Sequence, residues 1–143
     1  MQESVHVRLR GGSKPNEGYV EIKRDETWGG VCDDKVGKPE ADVICRMLGY
    51  PHGSQIAWQG IRGGSTSETL LPKHSFGHGS GGILLDNLNC TGNEDSLVQC
   101  KHVPWGEHNC NEDGAEHEWL GITCLVNILI FMLQFFTSCH LKV

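Results

Sequence analysis

Apolar Val5, Val7 and Leu9 alternate with polar His6, Arg8 and Arg10 until Gly11-Gly12 interrupts the run. A period of two marks a half-buried strand, whose successive side chains point to opposite faces. After a Pro15-Asn16-Glu17-Gly18 turn, Tyr19–Lys23 alternates weakly, and Trp28-Gly29-Gly30-Val31-Cys32 makes a third extended run. Together they predict a small antiparallel meander. The period then lengthens. Ala41, Ile44 and Leu48 share one helical face with Cys45, Pro39 suits the first turn, and Gly49 stops the pattern before Pro51. These signals predict a helix over 39–48 with Cys45 turned inward.

Residues 52–82 are rich in Gly, Ser and His without periodicity and read as a long ordered loop. Ile83-Leu84-Leu85 and Gly121-Ile122-Thr123 read as short strands. A helical turn is predicted over Glu94–Cys100, with Leu97 and Val98 buried. Trp28 reads as core. Trp58 and Trp105 fall in loops, where an aromatic can anchor a partner, although core packing is the default for each. Beyond Cys124 the composition breaks into the apolar run Leu125–Phe136, interrupted by Asn127 and Gln134. It is shorter than the roughly 20 apolar residues of a spanning helix, and extension to Leu141 nearly reaches that length. Residues 126–143 are therefore set apart as a hydrophobic tail, and membrane anchoring through 125–141 is the alternative to a non-domain extension.

Composition changes this picture in one respect. The 143 residues hold 19 Gly and 7 Cys, and six of the cysteines (Cys32, Cys45, Cys90, Cys100, Cys110 and Cys124) lie inside the periodic region. An even set in so short a stretch predicts a disulfide framework and an oxidising, extracellular compartment. Six cysteines leave fifteen pairings open; Cys139, in the tail, is the odd one. The net charge of −6 argues against a nucleic-acid face. Met1–Glu3 shows neither the basic nor the apolar region of an export signal, so the chain reads as part of something longer.

Several segments carry a resemblance: Val7-Arg8-Leu9-Arg10-Gly11-Gly12, Trp28-Gly29-Gly30-Val31-Cys32-Asp33-Asp34, Ala41-Asp42-Val43-Ile44-Cys45-Arg46-Met47-Leu48-Gly49-Tyr50, Leu85-Asp86-Asn87-Leu88-Asn89-Cys90-Thr91-Gly92, and Gly121-Ile122-Thr123-Cys124. Over residues 5–125 the chain strongly resembles a scavenger receptor cysteine-rich domain. The resemblance implies an α+β domain, a curved antiparallel sheet cradling the one main helix, with long loops. It also implies the pairs Cys32–Cys110, Cys45–Cys124 and Cys90–Cys100. Eight-cysteine members carry two further cysteines at positions that here hold Lys14-Pro15-Asn16 and Tyr50, so the six-cysteine group A is the match. The chain departs from the family where Tyr19 replaces a usual Arg, where the 59–75 loop is long, and where Glu118-Trp119-Leu120-Gly121-Ile122 replaces Glu-Asp-Ala-Gly-Val.

Asp33 and Asp34 follow a strand-end cysteine. Neighbouring carboxylates are unfavourable unless a cation neutralises them, and calcium takes several oxygen ligands at once. The resemblance adds Glu118 as a third ligand and places a second cation site on Asp86 and Asn109. Calcium, with magnesium as alternative, is the expected cofactor, bound at about 10⁻⁴–10⁻³ M as in other extracellular modules. Asn89-Cys90-Thr91 is a glycosylation sequon. Gly79-Ser80-Gly81 lacks the glycine two residues before the serine that a hydrolase elbow needs, and it reads as a loop. His74 and His78 are spaced as helical metal ligands, but Gly77 argues against a helix there. The expectation is a non-catalytic, secreted or cell-surface module that binds an extracellular protein or anionic ligand. Arg8, Arg10, Lys23, Arg24 and Arg62 would supply complementary charge. The alternative is an accessory domain of a secreted enzyme, a lysyl-oxidase-like amine oxidase or a mosaic serine protease, whose catalytic domain lies elsewhere.

Overall fold

The computed structural model describes residues 4–58, 75–114 and 116–126. Within them six strands form one sheet: β1 His6–Gly11, β2 Glu17–Arg24, β3 Thr27–Val31, β4 Ser54–Trp58, β5 Ile83–Leu85 and β6 Gly121–Cys124. One α-helix, α1 Lys38–Met47, and a 3₁₀ turn at Leu97–Gln99 complete the regular structure. The apolar tail beyond Val126, with Cys139, and the segment holding Arg62 and His74 lie outside the described residues. Among those that are described, no helix is long and apolar enough to cross a membrane.

β2 organises the sheet. A strand has two hydrogen-bonding edges, and β1 occupies one of them along Gly18–Lys23. The other is divided: β6 pairs with Glu17–Tyr19 and β3 with Glu21–Arg24. β4 extends the sheet beyond β6, and β5 extends it beyond β3. The result is a curled, antiparallel-rich sheet with one exception. β5 runs parallel to β3, with Val31 opposite Leu85. That parallel pair within the otherwise antiparallel sheet proves decisive for the site.

The pleat sorts side chains to two faces. Val20, Ile22, Val31 and Ile122 turn toward α1, where they pack with Ala41, Ile44, Cys45, Leu85, Leu88, Leu97 and Leu120. A smaller cluster of Cys32, Ile83, Cys110 and Trp119 packs with Tyr19. The helix starts one residue earlier than predicted because Glu40 caps it. Its carboxylate accepts the Gly37 N–H at 2.7 Å and, from a distant segment, the Cys90 N–H at 2.8 Å.

Three local expectations are corrected. Ser54–Trp58 is strand, not loop, because Asp42 accepts both the amide and the hydroxyl of Ser54 and docks its start on α1. Trp58 therefore stands on a strand, its indole N–H donating to the Thr123 hydroxyl at 2.9 Å. Val98 is half-buried, since a three-residue 3₁₀ turn buries only Leu97. Trp28 is also half-buried, covered by the Arg8 guanidinium 3.8 Å from its ring, and Trp119 is the tryptophan of the interior.

Three disulfides staple these parts. Cys45–Cys124 ties α1 to β6, Cys32–Cys110 ties the end of β3 to the loop before β6, and Cys90–Cys100 closes a short loop. These are the pairs that the resemblance implies.

Candidate functional site

The C-terminal end of β3 is where the acidic residues gather. Because β3 and β5 run parallel, both strands finish at the same end of the sheet, and the Cys32 N–H donates to the Leu85 carbonyl at 2.8 Å. The residues that follow, Asp34 and Asp86, are thereby carried side by side. One carboxylate oxygen from each and the two sulfurs of Cys32–Cys110 all lie within 4.8 Å of one another. The sulfurs are bonded to each other and are not free thiolates, so the donors of this group are the two carboxylates. Asp86 is buried and its Oδ1 accepts the Asn87 N–H at 2.8 Å. Asn109 borders the same group: its Oδ1 and Asp34 Oδ2 both stand 3.8 Å from Cys110 Sγ.

Asp33 is fully buried, and its N–H donates to the Glu118 carbonyl at 2.9 Å beside the bridge between Cys32 and Trp119. Glu118 is buried too and accepts the Asn111 N–H at 3.1 Å through Oε2. Asp33 and Glu118 are thus backbone neighbours, and Asp34 and Asp86 share a group with the Cys32–Cys110 sulfurs. Oxygen donors from carboxylates suit a hard cation such as calcium or magnesium, and none of them offers the nitrogen or thiolate that zinc favours.

A second feature escaped the sequence. Ser75 Oγ lies 2.7 Å from His117 Nε2, an arrangement that superficially suggests a nucleophile and its base. His117 Nδ1, however, accepts the Trp119 N–H at 3.3 Å, so the proton sits on Nε2 and is donated to Ser75. Burial, and then the charge of His78 beside it, holds the His117 pKa below its ordinary value and favours this neutral form. The nitrogen facing the serine cannot take its proton in this tautomer. Trp119 itself is wedged over Gly30, stacks with Tyr19 at 5.4 Å, and donates its indole N–H to the Glu112 carbonyl at 2.7 Å.

Of the cations named from sequence, Arg8 is committed internally. It bonds buried Glu21 through Nη2 at 2.7 Å and Nε at 2.8 Å while stacking on Trp28. Arg24 lies 4.7 Å from the Trp105 ring centre. Arg10 is exposed and Lys23 half-buried, on the same sheet face as Arg8.

A family model for the scavenger receptor cysteine-rich domain matches residues 10–125. The macrophage receptor MARCO of Mesocricetus auratus is 40% identical over 118 residues, covering 82% of this chain and 20% of the receptor. The chain therefore spans about a fifth of that relative's length. Among solved structures, the dimeric form of the cysteine-rich domain of mouse MARCO is 37% identical, with a TM-score of 0.59, covering 83% of this chain and 94% of that one. The third such domain of murine neurotrypsin is 34% identical, with a TM-score of 0.65 and coverage of 85% and 96%. With the curled sheet, the single helix and three disulfides in place, the chain belongs to the scavenger receptor cysteine-rich domain family, in its six-cysteine form.

Proposed function

We infer that this chain is an extracellular, non-catalytic ligand-binding module in which a bound calcium ion helps to capture a protein or anionic partner. The observation that carries this reading is the convergence of Asp34 and Asp86 at the parallel β3–β5 end, beside Cys32–Cys110. Two carboxylates gathered at one strand end offer together the oxygen donors that a hard cation takes. Asp34 and Asp86 would hold the ion, Asn109 would add a neutral oxygen, and Asp33 with Glu118 would line its other side. A bound calcium keeps coordination positions for carboxylate, sulfate or phosphate groups of a partner.

Arg10 and Lys23 add positive charge on the sheet face that Arg8 shares. The net charge of −6 makes the cation more important, since the bare module repels polyanions. The neutral tautomer of His117 supports a non-catalytic role, as it removes the base that Ser75 would need. Relatives named as a macrophage receptor and as neurotrypsin place such domains in larger proteins, and the same is proposed for this one at the cell surface or in secretion.

The test is capture of extracellular ligands on immobilised, refolded chain with calcium and with a chelator, beside an Asp34→Asn/Asp86→Asn variant. Ligands retained only by wild type with calcium support the reading. Capture that is the same in all three arms overturns the role of the cation.

A further inference from the structure

Asn89-Cys90-Thr91 is the single Asn-x-Ser/Thr sequence in the chain, and its middle residue is a disulfide cysteine. In the folded domain the Asn89 side chain is exposed, so an attached glycan meets no packed neighbour. Everything else about the sequon is fixed. The Asn89 N–H donates to the Lys101 carbonyl at 2.8 Å and the Lys101 N–H returns to the Asn89 carbonyl at 3.0 Å, a two-way rung beside the Cys90–Cys100 bridge. The Cys90 N–H is held by buried Glu40 at 2.8 Å. The Thr91 hydroxyl donates to Glu94 Oε1 at 3.0 Å, and the Thr91 N–H meets the same carboxylate at 2.8 Å.

A glycosyltransferase must bind a sequon as a mobile, extended segment and engage the hydroxyl of its third residue. The folded sequon offers neither freedom. From this we propose that Asn89 is an N-glycosylation site accessible only before Cys90–Cys100 closes, so that glycan transfer and disulfide formation compete for the same few residues. In the first reaction the Asn89 amide nitrogen bonds to the anomeric carbon of a lipid-diphosphate-linked oligosaccharide. The sugar–phosphate bond breaks, the lipid diphosphate leaves, and one amide proton is lost. In the second, the Cys90 and Cys100 thiols give up two electrons and two protons to a disulfide-bearing oxidoreductase, which is reduced to its dithiol. The cysteines are ten positions apart, a short loop with a small entropic cost of closure, so the bridge forms first in part of the molecules. The product is a mixture of glycosylated and bare domains with the same disulfides.

The test is expression of the full chain through a secretory pathway, with Asn89 occupancy read by mass spectrometry after enzymatic deglycosylation in heavy-oxygen water. Wild type is expected to be partly occupied. A pulse of membrane-permeable reductant during synthesis should raise occupancy about twofold or more, as should Cys100→Ser. Occupancy is read on newly made intracellular chains, so a variant that fails to fold still reports. In Cys100→Ser the reductant should add nothing further. An unmodified Asn89 in every arm overturns the site; full occupancy in untreated wild type, or equal occupancy in all arms, overturns the competition.

Discussion

Gly30 and Trp119 pack closely beside the site, and their interaction can be measured. A β-carbon added at Gly30 would lie 2.5, 2.6 and 2.7 Å from three ring carbons of Trp119, where ordinary carbon contacts run about 3.5–4.0 Å. Relief requires the indole to retreat by about 1 Å. The indole is not free to do so: Trp119 is 1% exposed, its N–H is held by the Glu112 carbonyl, and its backbone bridges Cys32. Overpacking of this kind costs about 1–3 kcal/mol, and the rigid surroundings put Gly30→Ala near the top of that range. Trp119→Leu should itself cost about 3 kcal/mol by opening a cavity. The double variant should recover about 1–2 kcal/mol relative to the sum, because the smaller side chain leaves room for the added methyl. Guanidinium unfolding at equilibrium, with the disulfides intact, gives all three values. A Gly30→Ala cost below about 0.5 kcal/mol, or strict additivity in the double variant, would refute the reasoning.

Other outcomes follow from the same contacts. Removing Cys45–Cys124, which closes a separation of 79 residues, should cost about 4.5 kcal/mol by chain entropy, against about 3 kcal/mol for Cys90–Cys100 with its separation of 10; paired serine variants in denaturant titrations give the ranking. Glu40→Ala strands the Gly37 and Cys90 N–H groups and should cost about 3 kcal/mol, read by the shift in denaturation midpoint. Hydrogen bonds from the Thr91 N–H above all, with those from the Glu94 backbone, the Thr91 hydroxyl and the Gly92 N–H, together outweigh desolvation and bring the Glu94 pKa from its ordinary 4.5 to about 2. A depressed carboxyl stabilises the fold above its unfolded value, so this contribution disappears as pH falls from about 4.5 toward about 2. The difference in melting temperature between wild type and Glu94→Gln should shrink across that interval; a constant difference would count against the assignment.

What the sequence disclosed, and what it withheld, follows from the range of the interactions. β1 to β3 and α1 were legible because strand and helix periods are local, as were the Pro39 and Gly49 boundaries. β4 was not, since the burial of Ser54 depends on Asp42 twelve residues earlier, and a buried serine spoils the alternation. Trp28 was misassigned for a similar reason: its exposure is decided by Arg8, which lies on another strand. The candidate site shows the same division. Asp33 and Asp34 stood out as a pair because they adjoin in the sequence after Cys32. Asp34 finds its neighbour 52 positions later, at Asp86, through a parallel pairing that no local pattern signals. Asp86 and Asn109 entered only through the resemblance to a family.

The central claim is that Asp34 and Asp86 form a cation site, and a thermal melt of the refolded domain with increasing calcium addresses it most directly. At about 10 mM calcium and a dissociation constant near 1 mM, linkage predicts about 1.4 kcal/mol of added stability. The melting temperature of wild type should therefore rise steadily through the millimolar range, and that of Asp34→Asn/Asp86→Asn should stay flat. A wild-type melting temperature that does not change with calcium, or one that rises equally in the variant, would contradict the account.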